Sequence, residues 1–154
     1  MSPLQIYKSF KKYPMGNYLF MKALCVKAPY FSTIKPQLLS YEEGRIEIRI
    51  PKRKAIFNHI GTVHAIAMCN LAELCGGLTV DSTLPKEWRW IPKGMNVEYL
   101  EKATTDLVGK CQVAKNDIQI GDNHVVVNVF NNKDVLVFKA TINMYVSERK
   151  TLSA

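Results

Sequence analysis

Between Arg45 and Ile50 the chain alternates without a break: Ile46, Ile48 and Ile50 are set against Arg45, Glu47 and Arg49. A period of two is that of a strand with one covered face. With PQLLSYEEG just before it, the pattern predicts a hairpin that turns at EEG. Upstream, segments 3–13 and 16–27 fit short helices broken at Pro14 and Gly16, and 29–36 reads as a connection. From about Thr62 to Val80 the apolar run is too long for a strand and predicts a helix. DSTLPKEWRWIPKG, 81–94, reads as a long loop. Segments 96–103, 106–114, 123–130 and 134–148 then follow as strands, with turns at GDN (121–123) and NNKD (131–134). Six strand-like arms and one long helix predict an α+β fold, a curved antiparallel sheet packed on that helix. No repeat or internal boundary appears, so residues 1–154 are expected to form one domain.

The helix carries the chemistry. Projected at 100° per residue, His64, Met68, Leu71, Cys75 and Leu78 form a stripe suited to a sheet. Ile66, Cys69, Asn70, Glu73, Gly77 and Val80 lie broadly opposite. That second side is nearly as apolar as the first and bears one carboxylate. An unpaired carboxylate is costly to bury. Glu73 therefore either solubilises an exposed edge or stands in a cleft at a subunit interface, where burial tunes it as a base. Gly76 and Gly77 sacrifice helix propensity and favour close approach by another chain or a ligand. At the other end, Asn58 and Gly61 break the chain ahead of the helix. The first-turn N–H groups around His64 and Ala65 have no partner within the helix and can receive a carbonyl oxygen gaining negative charge. Glu73 lies nine residues beyond His64, about 13.5 Å along a helix, so one chain does not bring both to one carbonyl. Two helices antiparallel across a two-fold axis do, which predicts a homodimer. His64 reads equally as a ligand-binding group or a satisfied core histidine, and Asn58 as a site residue or a turn cap.

Composition narrows the partners. Formal net charge is +8, from 21 Lys and Arg against 13 Asp and Glu, which favours anionic partners such as nucleic acid or phosphorylated small molecules. The basic residues are dispersed, with KSFKK and PKRK the only dense groups, and no nucleic-acid signature accompanies them. Arg53, Lys54, Lys86, Arg89 and Lys93 stand as candidates for pairing with phosphates. Cys25, Cys69, Cys75 and Cys111 include no C-x-x-C pair, and the three histidines form no cluster. Neither a metal nor another cofactor is called for. Without an apolar run of membrane-spanning length or a recognisable signal segment, a cytoplasmic protein is the default expectation.

Asn58-His-Ile-Gly61-Thr-Val-His64-Ala65, followed by Leu71-Ala72-Glu73, resembles the signature of the PaaI-like branch of hotdog-fold acyl-CoA thioesterases. That branch shows Asn-Pro-x-Gly-x-x-His-Gly, then Leu-Ala-Asp or Leu-Ala-Glu. The chain also resembles a less characterised hotdog group with an N-terminal helical extension, through RIEIRIP, LAELCGG and MNVEYLEKA. The likeness covers about residues 30–148, with 1–29 as the extension. It implies a helix wrapped by a sheet, two domains joined edge to edge, and possible assembly into a dimer of dimers. It also implies hydrolysis of an acyl-CoA or other pantetheine thioester. Glu73 then takes the place of the catalytic carboxylate, Asn58 of the polar loop residue, His64 of the helix-start histidine and Ala65 of the oxyanion donor. His59 and Ala65 depart from the usual Pro and Gly. A catalytically silent hotdog module binding acyl-CoA or a protein is the alternative.

Overall fold

The computed structural model describes residues 2–149. Two helices open it, α1 (Pro3–Phe10) and α2 (Gly16–Lys27), followed by a 3-10 turn over Pro29–Ile34. Ser2 and Gln5 cap α1 reciprocally, and Pro3 suits its first turn. The strands are β1 (Gln37–Glu42), β2 (Arg45–Ile50), β3 (Trp88–Tyr99), β4 (Leu107–Gln112), β5 (Gly121–Phe130) and β6 (Leu136–Glu148). They form one antiparallel sheet in the order β1-β2-β4-β5-β6-β3. The long helix, α3 (Ala65–Thr83), packs along its concave face against β2, β4, β5, β6 and β3.

The alternation in RIEIRI holds: Ile46, Ile48 and Ile50 are fully buried, while Arg45 and Arg49 face out. Gly44 closes the β1–β2 turn at φ +73, and a Cβ there would lie 2.3 Å from the Val113 carbonyl oxygen. Asn131 organises the β5–β6 turn, its Oδ1 accepting the N–H groups of Lys133 and Val135.

Four sequence expectations need correction. First, WRWIPKG is not loop: it is the first half of β3, which pairs with β6 from Trp88 to Tyr99. Pro92 lies inside this strand, and the register slips between Pro92 and Gly94. An edge strand tolerates both a missing donor and a bulge. Second, GDN is not a turn, because Gly121 begins β5 with φ +107 and the connection from β4 runs through a 3-10 turn at Lys115–Asp117. Third, α3 starts and ends three residues later than predicted, because His64 is its N-cap. Fourth, the glycines of α3 admit this chain's own sheet. A Cβ on Gly77 would lie 2.7 Å from the Trp90 ring, and one on Gly76 3.0 Å from Ile142.

Most of the second side of α3 is likewise covered from within. The η1 turn (Pro29–Ile34) and α1 both pack against it, and Tyr41 donates its hydroxyl to the Leu78 carbonyl at 2.9 Å. From Leu74 to Val80 every residue of the helix is buried. What stays open is a short stripe on the first half: Ile66, 54% exposed, with Cys69 and Glu73 half-buried.

Candidate functional site

The stripe faces β3. Trp90 packs on Gly77, and the Asp81 carboxyl, one turn on, is pushed up by burial, an effect that the neighbouring Trp90 indole partly offsets. Two turns back along α3, the Cys69 thiol meets the Tyr99 hydroxyl at 3.9 Å. Burial, and then Cys69, raise the Tyr99 hydroxyl above its ordinary value. Strand and helix therefore run antiparallel, with Glu73 between these crossings and alongside the middle of β3. Met95, Val97 and Tyr99 share a face there with Trp90, as their pairing with Ile142, Ala140, Phe138 and Val146 requires. On its other side β3 has no partner strand among the described residues.

Glu73 has no hydrogen bond or ion pair among the described residues, although it is only half exposed. Its helix neighbours on the open stripe are a thiol and an isoleucine. Such a carboxylate has acceptor capacity to spare and is partly shielded from water, which is the condition of a general base or nucleophile.

At the start of α3, His64 accepts the Ile66 N–H on Nδ1 at 3.1 Å. A neutral imidazole accepting there carries its proton on Nε2, so the exposed side of the ring presents a donor. The Ala65 N–H, next to it, has no acceptor among the described residues. Asn58 is spent largely on its own loop. Its Oδ1 accepts from the Ile60 and Thr62 N–H groups, each at 3.1 Å, and its Nδ2 donates to Thr62 Oγ1 at 2.7 Å. One Nδ2 hydrogen is left over. The loop is further tied by the Asn58 N–H to the Thr62 carbonyl and by Gly61 at φ +77. Asn58, His64 and Ala65 thus form one local group at the helix start. Glu73 is eight residues beyond Ala65 on the same helix, about 12 Å along it, so a single chain does not unite them.

Of the basic residues read as phosphate partners, Lys93 pairs with Asp122 at 3.0 Å on the outer face of the sheet, and Arg89 reaches Ser147. Arg53 donates to the Thr33 carbonyl. The four cysteines are free thiols. Among the described residues no helix is long and apolar enough to cross a membrane. The sequence reading placed Tyr99 in a strand over 96–103 but missed that this strand crosses Cys69 on the open stripe of α3, because the preceding half of β3 was read as loop. Alternation of Val97 and Tyr99 was the available signal.

A nineteen-residue helix wrapped by a six-stranded antiparallel sheet, preceded by two short helices, is a hotdog fold with an N-terminal helical extension. The chain belongs to the family described as a domain of unknown function, DUF4442, whose pattern it matches over residues 16–146. It is similar to the crystal structure of the genomics protein APC5556, at 39% identity and TM-score 0.85, over 96% of this chain and 99% of that one. A Pseudomonas aeruginosa protein of unknown function, PA5026, described as a probable thioesterase, matches at TM-score 0.73 and 19% identity, over 80% of this chain and 89% of that one. A Streptococcus mutans protein solved bound to acetyl CoA matches at TM-score 0.64 and 20% identity, over 75% and 91%. No curated protein matches the chain. The fold is one in which thioesterases occur.

Proposed function

We propose that the chain hydrolyses an acyl-CoA or related pantetheine thioester as a homodimer built on the β3 edge. The observation that carries this reading is the placement of Glu73: an unpaired, half-buried carboxylate on the one stripe of α3 that the chain leaves uncovered, beside an unpaired strand edge. A second copy added along β3 extends the sheet and covers Met95, Tyr99 and the stripe. The two-fold axis then carries Glu73 of one chain toward the helix start of the other. The thioester carbonyl rests on the Ala65 N–H, with the His64 Nε2–H and the spare Asn58 N–H at its flank. As charge develops on the carbonyl oxygen, these fixed donors stabilise it without rearrangement. Glu73 either draws a proton from the attacking water or attacks the carbonyl itself, giving an anhydride that water then opens. In the first route Glu73 hands that proton to the departing thiolate, and in the second the thiolate leaves as the anhydride forms and takes up a proton released when water opens it, so acid and thiol are the products of both. Residues 1–29 act within the same unit, since α2 packs on β1 and the family match begins inside it.

Support comes from the relatives of the same fold, one named a probable thioesterase and one solved with acetyl CoA. The competing reading, a silent module that binds acyl-CoA or a protein without turnover, draws on Asn58, whose side chain is mostly engaged in its own loop. Thiol release over a broad acyl-CoA panel, run on wild type and Glu73→Gln together, separates the two. Glu73→Gln keeps shape and hydrogen bonding, so the expected result is a loss of about 10²–10⁴-fold in rate with an intact dimer. Equal turnover by both proteins would refute the assignment. CoA binding with no turnover on any thioester would establish the silent module.

A further inference from the structure

The positive charge of the chain is unevenly spread. Residues 1–41 carry six lysines, Lys8, Lys11, Lys12, Lys22, Lys27 and Lys35, and no Asp, Glu or Arg, so six of the eight net positive charges lie there. None of the six is ion-paired among the described residues.

The same region holds an apolar surface without cover. On α2, Phe20 and Met21 are buried, Leu24 packs against the core and Asn17 bonds to β1. Tyr18, Leu19, Lys22 and Val26 share the opposite side at helical spacing. Val26 is 83% exposed, Met15 at the N-cap is 69% exposed, and Tyr18 and Leu19 are exposed as well. A helix apolar on both sides belongs in an environment that covers both. The charge is built into this side too, because Lys22 holds its ammonium 5.5 Å from the centroid of the Tyr18 ring. Beside it, between α2 and the link from η1 to β1, lies a cavity of about 520 Å³ whose lining includes Tyr18, Met21, Lys22 and Lys35.

We infer that the outer side of α2 rests on a bilayer rich in anionic phospholipid. The inference does not depend on the hydrolase reading. The lysines meet lipid phosphates, and the cavity between Lys22 and Lys35 receives a headgroup. Met15, Leu19 and Val26 enter the acyl boundary, with the Tyr18 ring at headgroup depth. The twelve residues of α2 extend about 18 Å, too short to cross a bilayer, so the helix lies in the plane of the interface. A second copy of the chain is a poor occupant, since it would set its own unpaired lysines against these six. A nucleic acid would answer the lysines but give Met15, Leu19 and Val26 nothing apolar to enter. A lipid surface is anionic at its face and apolar beneath, which is the order of charge and apolar side chains that α2 presents. Because β1, on which α2 packs, is at the opposite edge of the sheet from β3, a dimer built on β3 leaves this surface open.

Vesicle co-sedimentation of the full chain tests it. Vesicles of equal parts phosphatidylglycerol and phosphatidylcholine should bind at least about tenfold more tightly than phosphatidylcholine alone, and the binding should weaken as salt rises. Lys22→Glu with Lys35→Glu, and separately Leu19→Gln with Val26→Gln, should each lower that affinity about tenfold. Val26→Gln alone serves if the second pair does not fold. Lys133→Glu with Val135→Gln, in the turn between β5 and β6, should leave it unchanged. No preference for anionic vesicles, or an equal response to the control pair, overturns the inference. Binding that follows the lysines but ignores Leu19 and Val26 also overturns it, as does retention of a single-stranded RNA oligomer in place of vesicles, which would make the surface a nucleic-acid site.

Discussion

The sheet has two edges, and the chain treats them differently. At β1 the strand is short and bulged between Leu38 and Ser40, and α2 lies against it. Asn17 on that helix donates Nδ2 to the Leu38 carbonyl at 3.1 Å and accepts the Tyr7 hydroxyl at 3.0 Å. Tyr7, Phe20 and Tyr41 stack in a cluster beneath it, ring centroids 5.3–5.9 Å apart. At β3 the strand is twelve residues long, no helix lies over its outer side among the described residues, and Ile91 and Tyr99 are more than half exposed. Unpaired strand edges are templates for further pairing unless they are blunted or covered. The N-terminal extension covers one edge. The other is open next to the only unpaired stripe of α3.

The largest expected effect comes from charging that open edge. Ile91→Glu with Asn96→Glu places like charges along the outer face of β3, where a two-fold partner must bring its own copies close. Like-charge juxtaposition across an interface costs several kcal/mol, so dimer dissociation should rise by about 100-fold in analytical ultracentrifugation, and turnover should fall with it. Leu39→Glu on β1 should leave association unchanged. If both edges respond alike, or neither does, the proposed asymmetry is wrong.

A smaller effect is expected on the covered edge. Asn17→Ala removes its side-chain hydrogen bonds and leaves part-buried groups unpaired, which costs about 1–3 kcal/mol. The denaturation midpoint should drop while the oligomeric state persists. An unchanged midpoint would mean that α2 is not what secures β1.

The smallest effect belongs to neither edge. Asp106 joins β2 to the entry of β4 through Arg49 and through the Lys52 N–H, at 2.7 Å for the latter. These contacts, Arg49 first, hold its carboxyl below the ordinary value. A carboxylate lowered on folding stabilises fully above its unfolded pKa of about 3.9 and loses that contribution as pH falls through the lowered value. The pair is solvent-accessible, so Asp106→Asn should cost no more than about 1 kcal/mol at neutral pH. The difference from wild type should vanish in acid. A pH-independent difference would show packing, not charge, at work.

What the sequence revealed follows from how local each signal is. The β1–β2 hairpin was legible because RIEIRI alternates and Gly44 sits where φ must be positive. The core of α3 was legible because no strand is that long. Only the second half of β3 was, since Pro92 and the tryptophans look like loop until a pairing partner some fifty residues away is known. The second side of α3 was read as an exposed edge or as a cleft at a subunit interface. The structure shows that Trp90, Ile142, η1 and α1 cover most of it. Asn70 illustrates the limit: beside Glu73 on a helical projection, it is buried against Thr33 while Glu73 is not. Spacing along the helix does not say which turn a distant segment will cover.

The pairing of β3 with β6 has a consequence in time. During synthesis Trp88–Tyr99 leaves the ribosome well before Leu136–Glu148, its one partner strand among the described residues. At the usual pace of translation that is a wait of seconds, long compared with the microseconds in which a hairpin such as β1–β2 closes. For that interval β3 has neither edge satisfied, and its tryptophans and Ile91 are free to meet the same segment of another nascent chain. In the folded chain Trp90 packs on Gly77 of α3, and since α3 has already emerged, that apolar contact with its own helix is available to β3 before β6 is made.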